Sequence, residues 1–205
     1  MSNAPVENTE ARIGRAANVI RNGGLVAYPT DTVYGIGCDP RNPHAVGRLF
    51  EAKERDPNRA SPLIGASIEQ LAEAVLFTDA ALQLAASFWP GPLSLVLPAR
   101  PEVSRLVLGN LETAAVRVPA HETARSLASA AGFAITATSA NISGQPPVAR
   151  ASLISSRLAG HLDFVLDGGT LSAGSVSTIV DVTGDVPRLV RAGVIAWDRV
   201  LESLR

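Results

Sequence analysis

Two polar stretches and a few isolated cations carry the residue types in this chain that do chemistry. In Pro29-Thr30-Asp31-Thr32-Val33-Tyr34-Gly35, two hydroxyls and a carboxylate fall within three consecutive residues, between the apolar runs Leu25-Val26-Ala27-Tyr28 and Ile36-Gly37-Cys38. Pro29 fixes its own φ and drives Tyr28 towards an extended shape, so the cluster begins where a strand should end. Ser139-Ala140-Asn141-Ile142-Ser143-Gly144 repeats the arrangement after the run Ala134 to Thr138, adding an amide and a glycine that permits positive φ. Lys53 and Arg55 stand two residues apart just before Asp56-Pro57-Asn58, and they can converge on one ligand only if a helix stops there. Arg117 sits in the strand-like Val116-Arg117-Val118, where it needs an anion, from protein or ligand, to offset the cost of burial. Hydroxyls, amides and fixed cations without an evident nucleophile or base suit a site that gathers anionic substrates and stabilises charge. The same residues also serve plain structural ends, since Pro, Asp and Thr build turns and charged residues close helices.

Several other chemistries are excluded. There is no Gly-x-x-x-x-Gly-Lys-Ser/Thr phosphate loop, Gly35-Ile36-Gly37 lacks the third glycine of a dinucleotide fingerprint, and no Gly-x-Ser-x-Gly elbow occurs. His44, His121 and His161 are scattered, and the single Cys38 makes neither an intramolecular disulfide nor a structural zinc site, so no metal-ligand set is expected. Seventeen of the basic residues are arginine and one, Lys53, is lysine. Where Arg fills nearly every basic position, the lone Lys calls for a specific explanation.

The elements that must position these groups follow from periodicity. From Thr9 the residues Ile13, Ala16, Ala17 and Ile20 recur at helical spacing, with Gly23-Gly24 as the stop. Asn42-Pro43 predicts an N-cap and first helical residue, with Ala45, Val46, Leu49 and Phe50 as the buried stripe and Lys53 leaving the last turn. A strand over Pro62 to Ala66 precedes Ser67-Ile68-Glu69-Gln70, which has capping-box spacing ahead of Leu71, Ala74 and Val75. Thr78-Asp79 opens a helix through Ala81, Leu82, Ala85 and Phe88, and Trp89-Pro90-Gly91-Pro92 closes it, with Trp89 as a core or hinge residue. Further strands are expected at Leu93 to Leu97, Thr113 to Pro119, Ala134 to Thr138, Phe164 to Leu166, Val176 to Asp181 and Pro187 to Gly193, with helices at Thr123 to Ala131 and Trp197 to Leu204. Residues 170–178 read as a mobile loop.

The 205 residues suffice for one sizeable α/β domain, and at 46% hydrophobic, 18% charged and 4% aromatic they describe an aliphatic globular chain. No apolar run reaches the roughly 18 residues of a membrane span, and the N-terminus lacks the basic and apolar regions of a secretory signal, so a cytoplasmic location is expected. The formal net charge of -1 and the absence of a basic cluster argue against strong nucleic-acid binding.

Six motifs occur in order: Pro29 to Gly35, Lys53-x-Arg55, Val116-Arg117-Val118-Pro119, Ser139 to Gly144, Ser177-Thr178-Ile179-Val180-Asp181 and Val190-Arg191-Ala192-Gly193. As a set they resemble the YrdC/Sua5 family, the threonylcarbamoyl-AMP synthases of tRNA t6A biosynthesis, over nearly the whole chain from about Thr9. The resemblance implies a single-domain twisted open mixed α/β sheet with flanking helices and a large concave site. It divides the chain into a disordered leader over 1–8 and a catalytic domain over 9–205, the short form of the family without a further C-terminal domain. It also implies the condensation of L-threonine, bicarbonate and ATP to threonylcarbamoyl-AMP and pyrophosphate, with Mg²⁺ accompanying ATP and a downstream t6A transferase complex as the consumer. Binding of tRNA would be weak or absent. Carried over by motif, Lys53 and Arg55 are the catalytic pair that receives bicarbonate, carbamate and phosphates. Thr32, Arg117 and the Ala137 backbone hold threonine. Arg55, Arg59, Thr113, Ser139, Asn141, Ser143, Ser177 and Arg191 line the ATP site. The chain departs from the family pattern at Arg59, Ala60-Ser61 and Ile64, the last standing where relatives often have a histidine. The alternatives to this reading are a carbamoyl-transfer relative acting on carbamoyl phosphate, and a tRNA or double-stranded RNA binding module.

Overall fold

Asn8 starts the first helix by accepting, through Oδ1, the Ala11 N–H at 2.8 Å, so the ordered domain begins inside the segment expected to be leader. The computed structural model describes residues 8–171 and 176–205; residues 1–7 of that leader and 172–175 of the loop expected to be mobile lie outside the described residues. Helix α1 spans Thr9–Arg21 and buries Ala16, Ala17 and Ile20, the stripe its spacing requires. Gly23 takes φ 80° just beyond it, and the chain turns into β1 (Val26–Tyr28) and then, across the Pro29 to Tyr34 loop, into β2 (Gly35–Gly37).

Helix α2 (Pro43–Ala52) is capped by Asn42 Oδ1 on the His44 and Ala45 amides and ends at Lys53. After β3 (Leu63–Ile64) comes α3 (Ile68–Ala72), shorter than expected, because Val75 bridges to Ala99 instead of continuing the helix. The capping box is displaced by one residue: Ser67 accepts from Gln70, while the Gln70 side chain accepts from Ala66. Helix α4 (Asp79–Phe88) buries Leu84 where Leu82 was expected; Leu82 is exposed. Trp89, partly buried, donates from Nε1 to the Leu93 carbonyl and meets Phe77 edge to face. Strands β4 (Leu93–Pro98) and β5 (Thr113–Arg117), helix α5 (Glu122–Ala131), strands β6 (Ile135–Thr136) and β7 (Thr138–Ser139), helix α6 (Ser156–Ala159), strands β8 (Phe164–Val165), β9 (Thr178–Asp181) and β10 (Arg188–Arg191), and helix α7 (Trp197–Glu202) complete the order.

The strands form two mixed sheets, β7-β2-β1-β8 and β10-β9-β4-β5-β3-β6. The expected single strand over Ala134 to Thr138 is therefore two. Its halves belong to different sheets, and the Ala137 N–H between them goes to the Pro62 carbonyl at 2.7 Å. Thr136, fully buried, stitches the crossing: its hydroxyl accepts from Cys38 N–H at 2.9 Å and lies 3.1 Å from the Ile36 carbonyl. Period-2 alternation distributes the strands between two cores. Val26, Tyr28 and Ile64 pack with Ala16, Ala17 and Ile20 of α1 and with Leu127 of α5. Leu25, Ala27 and Leu63 face the opposite way, towards α2 and α4.

At the far edge, all four residues of β10 are exposed, and a β-bulge between Leu189 and Arg191 shifts its register against β9. Gly193 then passes so close to the start of β9 that a Cβ there would lie 2.4 Å from Ser177 C and Thr178 N, and 2.5 Å from Val176 O. Those are backbone atoms and cannot rotate away. Gly193→Ala is expected to destabilise the chain by about 1–3 kcal/mol or more, as overpacking against unyielding neighbours does. A urea midpoint matching that of the unsubstituted chain would show that the β9–β10 connection relaxes freely.

Candidate functional site

The seam between the two sheets opens into a cavity of about 510 Å³, within the ordinary range for small-molecule sites. The four-stranded sheet contributes the loop after β1, with Thr32 and Val33, and the segment from β7 onward, with Ser139, Asn141 and Gln145. The six-stranded sheet contributes Ile64, Ser94, Arg117, Ser177, Ile179 and Arg191, while the segment after α2 brings Arg55, Arg59 and Ala60.

The loop after β1 owes its shape to Thr30. Its buried hydroxyl accepts from the Thr32 and Val33 amides at 3.1 and 3.2 Å and donates to the Val33 carbonyl at 2.7 Å. Thr32 is thereby turned to the cavity, with its hydroxyl 3.0 Å from that of Thr30. Arg117, the last residue of β5, is buried and meets Asp31 of the same loop. Nη1 donates to both carboxylate oxygens, at 2.9 and 3.0 Å. The anionic partner that an arginine on this strand requires is thus internal, and among the described residues it engages Nη1 alone.

Across the cavity, Arg191 donates from Nε and Nη2 to the Ser177 carbonyl at 3.0 and 2.8 Å, and from Nη2 to the Ser177 hydroxyl at 2.9 Å. That hydroxyl lies 3.1 Å from Ser94 Oγ. Burial, and then the charge of Arg117, push the Arg191 guanidinium below its ordinary range. Arg55 donates to the Arg59 and Ala60 carbonyls at 3.0 and 2.6 Å, and burial followed by the charge of Arg59 lowers it too. Among the described residues four guanidiniums therefore line the cavity, and no carboxylate does. Such a surface suits anions: Arg55 and Arg191 are held by neutral carbonyls, and of the four only Arg117 has a carboxylate partner, Asp31, among the described residues.

Lys53 is placed differently from expectation. It is the C-cap of α2, 1% exposed, and lies behind the lining. Its Nζ donates to the Asn141 carbonyl at 2.6 Å and to the Ser139 carbonyl, while its own carbonyl accepts from Ser143 N–H at 2.9 Å. The ammonium thus clamps the segment after β7 from beneath. Burial and then Arg55 push it down to about 7. The unfolded chain therefore holds more protons than the folded one between about pH 7 and the ordinary lysine value of 10.5, and folding stability from this group rises with pH across that window. The urea midpoint of the unsubstituted chain is expected to rise relative to that of Lys53→Met as pH goes from 7 to 9; parallel curves would show that Lys53 does not titrate there.

Thr32, Arg55, Arg59, Arg117, Ala137, Ser139, Asn141, Ser177 and Arg191 come together around the cavity. Ser143 lies behind it with Lys53, its Oγ buried and without a partner, as is Asn141 Oδ1. Thr113 does not join them. It begins β5 where Arg117 ends it, a separation of about 13 Å at ~3.3 Å per residue, and it faces another cavity beside Arg100 and Arg105. Sequence reasoning missed Ser94, the one hydroxyl in an apolar strand, which was a usable signal; it also missed Gln145 and Ile179, which carried none.

Comparison with known proteins gives a consistent result. A family model for Sua5, YciO and YrdC, described as "Telomere recombination", matches residues 18–193. Threonylcarbamoyl-AMP synthase of Pyrococcus abyssi is 42% identical over 192 residues, covering 93% of this chain and 56% of that protein. The enzyme of the same name from Alkalilimnicola ehrlichii is 43% identical over 169 residues, covering 80% of this chain and 88% of that protein. The chain thus spans little more than half of the first relative and most of the second. The crystal structure of P. abyssi Sua5 complexed with L-threonine superposes with a TM-score of 0.91 at 40% identity, over 98% of this chain and 58% of that one.

Proposed function

The chain belongs to the Sua5–YciO–YrdC family, and on that premise we propose that it condenses L-threonine, bicarbonate and ATP into threonylcarbamoyl-AMP and pyrophosphate. The observation that carries the reading is the cavity lined by Arg55, Arg59, Arg117 and Arg191, with no carboxylate in the lining among the described residues. A triphosphate, a bicarbonate and an amino-acid carboxylate are all anions, the charge type that a guanidinium-lined cavity attracts. Names of relatives and the threonine complex of P. abyssi Sua5 support the choice of substrates.

In this reading the free edge of Arg117 takes the threonine carboxylate, with Thr32 and the Ala137 backbone beside it. Arg55, Arg59 and Arg191, with Ser139, Asn141 and Ser177, take bicarbonate and the nucleotide. The α-amino nitrogen attacks the bicarbonate carbon, and loss of water leaves a carbamate. A carbamate oxygen then attacks the α-phosphorus in line, and pyrophosphate departs with the bonding electron pair. Such a sequence asks for alignment and charge neutralisation from the protein, and no protein nucleophile. Lys53 and Ser143 act from beneath by holding the 139–143 segment, and Thr113 has no part. Mg²⁺ fits as an ion carried on the ATP phosphates: no group of three His, Cys, Asp or Glu that could hold a metal occurs among the described residues, while Asn141 Oδ1 is a buried oxygen with no partner. When bound, it would share the neutralisation of the triphosphate.

The adenylate is expected to form without any tRNA and to pass to a separate t6A transferase complex. A formal net charge of -1 gives an RNA backbone little overall attraction, and no helix among the described residues is long and apolar enough to cross a membrane. The test is pyrophosphate release with L-threonine, bicarbonate and tRNA each omitted in turn, and with carbamoyl phosphate replacing bicarbonate. Loss of release without threonine or bicarbonate, but not without tRNA, is the expected pattern. A strict tRNA requirement, or turnover on carbamoyl phosphate without threonine, would overturn the reading.

A further inference from the structure

We propose that Asp31 is a positioning residue of the amino-acid subsite: by holding Nη1 of Arg117 it turns the remaining guanidinium edge towards the cavity and fixes Thr32 beside it. The proposal rests on the reading of the cavity given above. A guanidinium carries five N–H donors in a planar fork, and two donors on one edge match a carboxylate. The usual protein carboxylate would occupy that edge. Here both Asp31 oxygens converge on the single nitrogen Nη1, at 2.9 and 3.0 Å, and neither Nη2 nor Nε has a hydrogen-bond partner among the described residues. The side chains are 7% and 13% exposed, so water does little to loosen the pair.

Its value lies in orientation. A buried ion pair returns little net stability, because desolvation of both charges offsets their attraction. A pinned guanidinium, however, reaches an incoming carboxylate with its plane already set. Asp31 is also next in the chain to Thr32, in the loop organised by the Thr30 hydroxyl, so one carboxylate ties that loop to the end of β5. Two neighbours sharpen the arrangement. Burial keeps the His121 imidazole below its ordinary range, against the charge of Asp31, which raises it. Arg191 lies close enough for its charge and that of Arg117 to oppose each other; Asp31 offsets one of the two cations and lets both remain beside the cavity.

The proposal is tested on two independent observables. In the unliganded chain, ¹⁵N-detected NMR is expected to show hindered rotation of the Arg117 guanidinium, with distinct Nη resonances, and their collapse in Asp31→Asn. In turnover assays Asp31→Asn is expected to raise the KM for L-threonine by about tenfold to a hundredfold, the scale of a misplaced binding group, with kcat and the KM for ATP little changed. Asp31→Glu, which restores the charge one methylene further out, is expected to recover part of the loss. A freely rotating Arg117 in the unsubstituted chain, or equal changes in both KM values, would overturn the proposal. Failure of the threonine reading itself would appear elsewhere, as threonine-independent pyrophosphate release by the unsubstituted chain.

Discussion

Arg117→Ala is expected to weaken L-threonine binding by about 2–5 kcal/mol, the scale measured when one partner of a buried, hydrogen-bonded charge pair is removed. Two losses add. The threonine carboxylate loses its donor edge, and Asp31 is left as a carboxylate at a site only 13% exposed. The second loss belongs to the protein and would also lower stability, so the discriminating quantity is the difference between ligands. Calorimetry is expected to show ATP affinity changed far less than threonine affinity. Equal losses for both would mean that Arg117 only holds the β1 loop to β5. Arg117→Lys separates the two duties, since an ammonium still pairs with Asp31 but has no second edge to offer.

Lys53→Ala is expected to reduce pyrophosphate release by about a hundredfold or more, although Lys53 does not line the cavity, because a displacement near 1 Å of a positioning segment costs that much. Removing Nζ strands the Ser139 and Asn141 carbonyls in a buried place, at about 1–3 kcal/mol for each unsatisfied group. The segment then escapes by moving, and it takes the Ser139 hydroxyl and the Asn141 amide with it. Lys53→Arg is expected to rescue poorly, since a planar fork does not fill the place of a compact ammonium between two carbonyls two residues apart. Turnover at the unsubstituted rate in Lys53→Ala would show that the segment after β7 needs no clamp.

The sequence disclosed what local chemistry controls. Asn42-Pro43 and Thr78-Asp79 place two helix starts correctly, and the strand-end clusters at Thr32 and Ser139 meet across one cavity. What it could not disclose is direction in space. Ala134 to Thr138 reads as one strand because nothing in its alternation marks the point where Ala137 leaves one ladder for the other; that break depends on the Pro62 carbonyl, some 75 residues earlier. Lys53 reads as a ligand contact because a lone lysine looks functional, and only the fold reveals that its nearest acceptors are main-chain carbonyls. Thr113 stands outside the cavity for a related reason: a motif position says nothing about which end of a strand meets it. Asp31 was visible in the same cluster as Thr32, yet its partner lies 86 residues away.

The exposed β10 bears on how the chain survives at high concentration. An unpaired strand edge is a template for a stray strand from another molecule, and Leu189 and Val190 would make adhesion favourable. Three features work against it. The bulge between Leu189 and Arg191 breaks the regular spacing that an incoming flat strand would have to match. Arg188, tied to Asp181 at 2.6 Å, sets a charge at the head of the edge. Arg191 is drawn inward on Ser177, so a residue that lines the cavity also ends the stretch of edge open to intermolecular pairing.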